Sequence, residues 1–579
     1  HAGASLAHGG AVGGGGMSNL PFLLEIGTEE IPDWMIVPAL GQLRDSVQAL
    51  LDGHGLQGKV SWVDATPRRL ALRADGIIER QPDSKEVKKG PPIAGGQRAA
   101  EGFAKKQGIP VESLTQEGGY FVGVKMVTGR AAADILAAEL AGLILKIQWP
   151  KTMYWTGGKT GPRFIRPIRW LVALLGGNVV PFEIAGVQSG AVTRGHRKLG
   201  ASSVPVTVEN YRDSLAASGV ILAAADRRRK IETEIAGLLE GTGLKVHADA
   251  DLLDTLVFIT EHPTPILGGF DPQYLELPSE VLVTVMRHHQ KYFSVEGADG
   301  KLAPNFIAVM NTNADPEGLV GRGNERVLRA RFNDARFFWQ VDQQKKLADR
   351  VADLASVTFQ AKLGSYLEKT KRNVALASEL AAMSGVDIAT AARAAELLKA
   401  DLTTEMVKEF TDLQGVVGGL YAKVQGESDA VSQAIYDHYK PTSMEDSIPS
   451  TREGLLVSLA DKLDTLRGCF AVGLQPTGSK DPFALRRAAQ GVVRILVEGK
   501  LEFPLAELVG ADQQLREFLL DRIKYYFREV RGFKYDEVNA VLASSAENLP
   551  DVEARLKALQ AVRPTENFEP LAASFKRIQ

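Results

Sequence analysis

One cysteine, Cys469, stands in 579 residues. A lone thiol excludes a disulfide framework within the chain and argues against a cysteine-based zinc site. Long apolar runs are also missing. No stretch of 18 or more apolar residues occurs, so no membrane association is expected. Excess charge is missing too: 68 Lys and Arg stand against 70 Asp and Glu, a formal net charge of −2. Attraction of the whole molecule to a polyanion is therefore absent, and nucleic-acid binding has to come from local basic patches. The phosphate-binding motifs are absent as well. Gly157-Gly158-Lys159-Thr160 lacks the leading glycine of a phosphate loop, and no dinucleotide fingerprint or kinase set is present. No Ser-His-Asp grouping can be argued from spacing.

What is present, 45% hydrophobic and 24% charged residues, fits a soluble globular protein with sizeable cores. A cytoplasmic location is the simplest expectation. The length suggests roughly four domains. Residues 1–16 (HAGASLAHGGAVGGGG) have neither a basic nor an apolar signal region, and are expected to be a disordered cloning remnant.

In chain order, Phe22–Ile26 reads as a buried strand. Thr28, Glu29, Glu30 and Pro32 read as a turn into a helix to about Leu51, with Asp33 as its cap. Glu29 and Glu30 are either paired catalytic carboxylates or a complement to the helix N-terminus. Residues 60–78 read as strands around a Pro67 turn that carries Arg68 and Arg69. The Lys/Gly/Pro-rich region 81–120 reads as exposed loop, with Lys85, Lys88 and Lys89 open to phosphates or solvent. A strand at 118–127 and a helix at 131–147 follow. In 149–170 cations and aromatics interleave, among them Arg163, Arg166 and Arg169. Such a mixture holds single-stranded nucleic acid or anchors a loop in a core. The strand-rich stretch 171–207 carries Arg194, His196 and Arg197 in TRGHR.

Residues 208–245 read as helical, and Arg227–Lys230 as a solvated face. A helix entered at Pro278-Ser279, with Ser279 in the cap region, ends in Arg287, His288, His289 and Lys291. Adjacent histidines on a helix lie about 100° apart and cannot chelate as an i, i+4 pair does. In 321–340, Leu328, Phe332, Ala335 and Trp339 form one helical stripe. Arg322, Arg326, Arg329 and Arg336 share a flanking face, either a phosphate ridge or an internally paired one. From about 343 onward the pattern is almost wholly helical, with spans near 344–355, 364–383, 388–400, 403–422, 428–438, 453–470, 481–498, 512–530, 535–545 and 550–562.

The helical order of 364–466 resembles an HD domain, a metal phosphohydrolase fold. Its histidine positions hold Thr370 and Thr411, while Asp412 and Asp461 remain. Two carboxylates without imidazoles make a poor transition-metal site, and His438 is read as a surface or packing residue.

Taken together, LLEIGTEEIP (23–32), TPRRLAL (66–72), RGHR (194–197), FITEHPTPILGGFD (258–271), RHHQKYF (287–293), ERVLRARFNDARFFW (325–339), TEMVKEFTDLQGVVGGLYA (404–422) and DPFALRRAA (481–489) resemble one family. It is the β subunit of bacterial heterotetrameric glycyl-tRNA synthetase. The resemblance implies an α2β2 assembly with tRNA(Gly) as ligand. The α subunit would make glycyl-adenylate from glycine with ATP and Mg2+, leaving no cofactor and no catalytic or metal-binding residue in this chain. It implies a multidomain α+β fold. A mixed N-terminal tRNA-binding body (17–150) precedes an α+β region (151–342) similar to the editing-type domain of the phenylalanyl-tRNA synthetase β chain. An all-α degenerate HD-like domain (343–500) and a helical segment (501–579) follow. The family's anticodon-binding domain would come after 571–579 and is expected to be absent. Candidate tRNA contacts are the Arg, His and Lys residues named above at 163, 166, 169, 194, 196, 197, 287, 288, 289, 291, 322, 326, 329 and 336, joined by Arg486 and Arg487. Asp481, Arg486 and Arg487 are read as helix-cap, packing or RNA contacts rather than as catalysts. The alternatives are a metal phosphohydrolase using Asp412 and Asp461, and a tRNA deacylase.

Overall fold

The computed structural model describes residues 19–478 and 480–564. The expected remnant at 1–16 and the segment 571–579 lie outside them. The chain divides into two compact units: residues up to 268 with 291–324, and residues 269–290 with 325 onward.

The first unit is built on a seven-stranded sheet. Strand β1 (Asn19–Thr28) lies at its middle, antiparallel to β3 (Arg69–Ile78) on one side and to Ile168–Leu175 on the other. Strand β2 (Lys59–Thr66) closes one edge, and Val187–Gly190 pairs parallel to Ile168–Leu175. Alternation assigns the two faces. Phe22, Leu24, Ile26, Leu70, Leu72, Leu171 and Ala173 join the core that includes helix α1 (Asp33–Gly53) and helix α3 (Ala132–Leu145). The opposite face carries Leu23, Ala71, Trp170, Val172 and Leu174, covered by Val204–Val208 and the helix Tyr211–Ala217. Helix α1 starts after Pro32, with Asp33 inside its first turn and no side-chain cap. Asp33 instead accepts a hydrogen bond from Thr255 Oγ1, so the expected cap is corrected.

Two further expectations change here. Region 81–120 is not a loop. Strand β4 (Ser84–Pro92), helix α2 (Gly96–Gln107), β5 (Thr115–Glu117) and β6 (Tyr120–Val127) make a small three-stranded layer. Its glycines serve packing: a Cβ at Gly90 would sit 2.8 Å from the Phe103 ring, and one at Gly123 would sit 2.8 Å from Ile109. Nor is Arg227 solvated. It is buried, donating to the carbonyls of Val257, Ile221, Leu222 and Ala65 at 2.7 Å each. Burial lowers its guanidinium to about 10.

The second unit is almost wholly helical, apart from the small hairpin of Thr358–Gln360 and Gly364–Ser365. Helix Tyr366–Ser384 opens with a Ser365/Glu368 capping box and ends at Gly385, φ +70°. Helix Arg452–Ala471 is buried nearly all round and is the unit's central rod. Ser279 does not cap its helix; Pro278 stands at the cap position, with no side-chain bond. The helix expected at 403–422 is two pieces, Glu405–Glu409 and Val416–Val424, joined by a tight turn at Thr411–Leu413. The break has a cause in the buried Asp401. Its Oδ2 accepts from the main-chain N–H groups of Gly415 (2.5 Å) and Gly418 (3.2 Å), and Gly415 adopts φ +81°.

Burial raises the Asp401 carboxyl to about 6. The folded protein therefore binds this proton more tightly than the unfolded chain. Stability from this group is present below pH 3.8 and is lost as pH rises through about 6. Asp401→Asn keeps an acceptor for the two glycines without the buried charge. Its stability relative to wild type should improve by up to about 2–3 kcal/mol between pH 4 and pH 7.5 in denaturant titrations.

Candidate nucleic-acid interface

The first unit holds a cleft of about 280 Å3 lined by Thr28, Glu29, Arg68, Arg169, Trp170, Arg194, Gly195, His196, Arg197 and residues 200–202. Four segments far apart in sequence build it, and a buried ionic network joins them. Gly27, Arg69 and Trp170 stand side by side across three strands. Gly27 is required there, because a Cβ would lie 2.0 Å from the indole of Trp170. On the same face Glu25 Oε1 accepts from Trp170 Nε1 (2.7 Å), Thr193 Oγ1 (2.8 Å) and Arg69 Nη1 (3.1 Å). Arg69 Nη2 donates to Glu261 Oε1 (3.1 Å) and to the Arg194 carbonyl (2.9 Å). Arg68 Nη2 donates to Glu261 Oε2 (3.0 Å) and to the Gly195 carbonyl (2.8 Å). Burial alone would raise the Glu261 carboxyl; Arg69 and Arg68 outweigh it and hold the group below 4.5.

Thus the two arginines at the Pro67 turn clamp the main chain of TRGHR, and that loop's own cations turn outward. Arg194 stacks over Trp170 at 5.1 Å. Arg169 Nε and Arg197 Nη2 both donate to Glu29, at 2.8 and 2.5 Å. Burial opposes the charge on Glu29, but Arg169 and Arg197 prevail and lower its carboxyl. Glu29 is neither half of a catalytic pair nor a helix-end charge; it is the counter-ion of two cleft arginines. Thr28 Oγ1 is buried in the cleft wall without a hydrogen-bond partner. His196 is a buried node rather than an open cation. Its Nδ1 accepts from Lys198 N and Leu199 N, so Nε2 carries the proton that meets Asn311 Oδ1 at 3.2 Å. Asn311 Oδ1 also accepts from Glu261 N and His262 N.

The other candidates do not converge on this cleft. Arg163 lies over Tyr154, and Arg166 donates to the carbonyls of Glu30 and Ile165. Of the neighbouring aromatics, Trp149 and Trp155 pack against the core, which Phe164 joins. Lys291 is exposed, with φ +59°. In the second unit Arg287 meets His288, His288 pairs with Asp412 at 3.0 Å, and His289 packs edge-on to Phe410. Arg336 is folded over Tyr274 and bonded to Gln273 and Asn333. Arg322, Arg326 and Arg329 are exposed on the helix Leu319–Asp342. Asp481 accepts from Leu485 N and Arg486 N at the start of the helix Leu485–Glu498, whose cap position itself is held by Ala484.

Asp412 and Asp461 are not joined. Asp412 is exposed in the turn, whereas Asp461 is buried between two ammonium groups: Lys399 Nζ at 2.9 Å and Lys369 Nζ at 3.1 Å. Lys399 Nζ also donates to His438 Nε2 (2.9 Å), whose Nδ1 is bound to the Ile435 carbonyl. His438 is therefore a buried member of this network, not a surface residue. Burial and then Lys399 push its imidazole well below 6.5. This donor set does not fit a divalent cation. Among the described residues no group of three or more His, Cys, Asp or Glu side chains is placed to hold a metal.

Sequence patterning passed over Glu25, Glu261 and Asn311, and placed Arg69 at the Pro67 turn without its partners. The available signal was one carboxylate inside the apolar run FLLEI and two arginines beside a buried strand. Glu261→Ala leaves two buried guanidiniums short of charge and should cost about 3–5 kcal/mol in a denaturant melt. In the wild type the stability that comes from the lowered Glu261 carboxyl is present above pH 4.5 and is lost as pH falls through its lowered value.

The family model described as glycyl-tRNA synthetase beta subunit matches residues 22–543. The glycine–tRNA ligase beta subunit of Acidobacterium capsulatum is 47% identical, over 96% of this chain and 84% of its own length. Those of Moorella thermoacetica and Trichlorobacter lovleyi are 41% and 40% identical, over 96% of this chain and 84% and 85% of theirs. The chain belongs to the glycyl-tRNA synthetase β-subunit family.

Proposed function

We propose that this chain, as the β subunit of glycine–tRNA ligase, holds tRNA(Gly) through the cleft of Arg169, Arg194 and Arg197. It presents the tRNA to an α subunit that makes glycyl-adenylate from glycine with ATP and Mg2+. The carrying observation is the cleft itself: three outward guanidiniums on a loop and strand fixed by buried ion pairs. Guanidinium forks suit phosphate oxygens. Glu29, bridging Arg169 and Arg197, occupies the place of an anion that a phosphate would displace. A near-neutral chain must bind RNA through such patches. Arg326 and Arg329 extend the reading to the second unit, where they are exposed and have no ion pair among the described residues. The proposed assembly is an α2β2 complex in the cytoplasm.

The all-α unit fits an HD-like scaffold whose metal place is taken by lysine. Lys399 Nζ sits between His438 and Asp461, two groups of the types that ligate metals. This supports a structural rather than hydrolytic role for the unit.

The double variant Arg169→Glu/Arg197→Glu should weaken tRNA(Gly) binding at least 10-fold and flatten its dependence on salt by about two released counter-ions. Filter binding across a salt series, with the α subunit present, reads both. Unchanged affinity and slope would reject the cleft. Charge reversal at Arg326 and Arg329 should flatten the slope further. If it does not, those arginines face away from the RNA.

A further inference from the structure

A second arginine-lined cavity, of about 340 Å3, lies in the all-α unit. Its walls are the loop Pro441–Met444, the helix Leu485–Glu498 and the helix Gln513–Tyr525. The volume falls at the small end of the roughly 300–1,000 Å3 typical of small-ligand pockets. It admits one nucleotide and excludes a duplex.

Gln490 lines this cavity. It is only 9% exposed, and neither its Nε2 nor its Oε1 has a hydrogen-bond partner. Native folds rarely leave a buried carboxamide unsatisfied at both ends. A primary amide sets a donor and an acceptor side by side, the pattern that complements the edge of a nucleobase. Arg486 and Arg487 precede Gln490 by one helical turn and so share its face. Arg487 is exposed and has no ion pair among the described residues, while Arg486 donates to the Gly478 carbonyl. The facing wall offers flat groups. Tyr525 is exposed, the Arg522 guanidinium lies 5.9 Å from its ring, and Arg522 Nε is also buried without a partner. Aromatic rings and guanidinium planes are what unstacked bases lie against. Arg494 is not available as a contact: its fork is spent on Glu498 and on the Ser443 carbonyl.

We propose that this cavity takes a single unpaired nucleotide. Its base edge meets Gln490, its face lies against Tyr525 and Arg522, and its phosphate meets Arg487. A free mononucleotide and a base turned out of an RNA strand offer the same chemistry. Only the second source rests on the tRNA reading above.

The test uses the full chain, the variants Gln490→Met and Arg487→Glu, and two sets of probes. AMP, GMP, CMP and UMP are titrated calorimetrically; tRNA(Gly) is bound across a salt series. Gln490→Met should weaken the responsible probe about 5-fold or more, the loss expected for a bidentate base contact. It should leave the salt slope intact and melt no lower than wild type. Arg487→Glu should instead flatten the tRNA slope. Loss confined to mononucleotides assigns the pocket to a free nucleotide; loss confined to tRNA assigns it to an extruded base. Unchanged binding of both probes overturns the proposal, and so does a lower melting temperature, which would make Gln490 a packing residue. If the wild-type chain binds no tRNA even with the α subunit present, the cleft reading above fails, and the mononucleotide arm alone decides the pocket.

Discussion

Everything in the first unit's cleft depends on one buried guanidinium. Arg69 is fully enclosed and reaches two carboxylates, Glu25 and Glu261, that lie over 230 residues apart. Desolvating such a group is expensive unless every N–H finds a partner. Here the partners come from β1, from the end of β2, from the TRGHR loop and from the segment after the helix Ala250–Ile259. The guanidinium is therefore satisfied only when all four segments are in register. A mispaired sheet would strand a charge in the core, so the same atoms that hold the cleft also penalise alternative folds.

The second unit solves a related problem with lysine. Asp461 is held far below its ordinary range: burial would raise it, but Lys369 and Lys399 more than compensate. Lys462 adds a third buried amine, donating to the Lys440 carbonyl and Ser458 Oγ. In both units, then, the buried charges are spent on joining segments. The outward ones (Arg169, Arg194 and Arg197 in the first, Arg326, Arg329 and Arg487 in the second) are the exposed arginines on which the proposed RNA contacts rest.

Much of the fold was legible in the sequence. Most helices after residue 360 follow the spacing of their apolar residues to within a few positions, because most bury one stripe; Arg452–Ala471 is instead buried nearly all round. The exceptions have local causes. The break at Thr411–Gly415 depends on a carboxylate ten residues upstream of the turn, beyond the reach of periodicity. The small sheet of β4, β5 and β6 forms from a Lys/Gly/Pro-rich stretch, since strand pairing overrides composition. Arg227 sits in a run of four cations that looks solvated, yet the helix phase turns it inward. The cleft was half legible. TRGHR announced its cations, but only three-dimensional register shows that Glu25 and Glu261 meet behind them, and that Glu29 meets two of them in front.

Gly27 carries a consequence for the cleft floor. The Trp170 indole lies where a side chain at residue 27 would be, so the backbone of a central strand holds it in place. Its position is as rigid as the sheet itself. Whatever enters the cleft meets a floor whose conformational entropy was surrendered on folding, beneath arginine arms that Glu29 and the indole already hold in place.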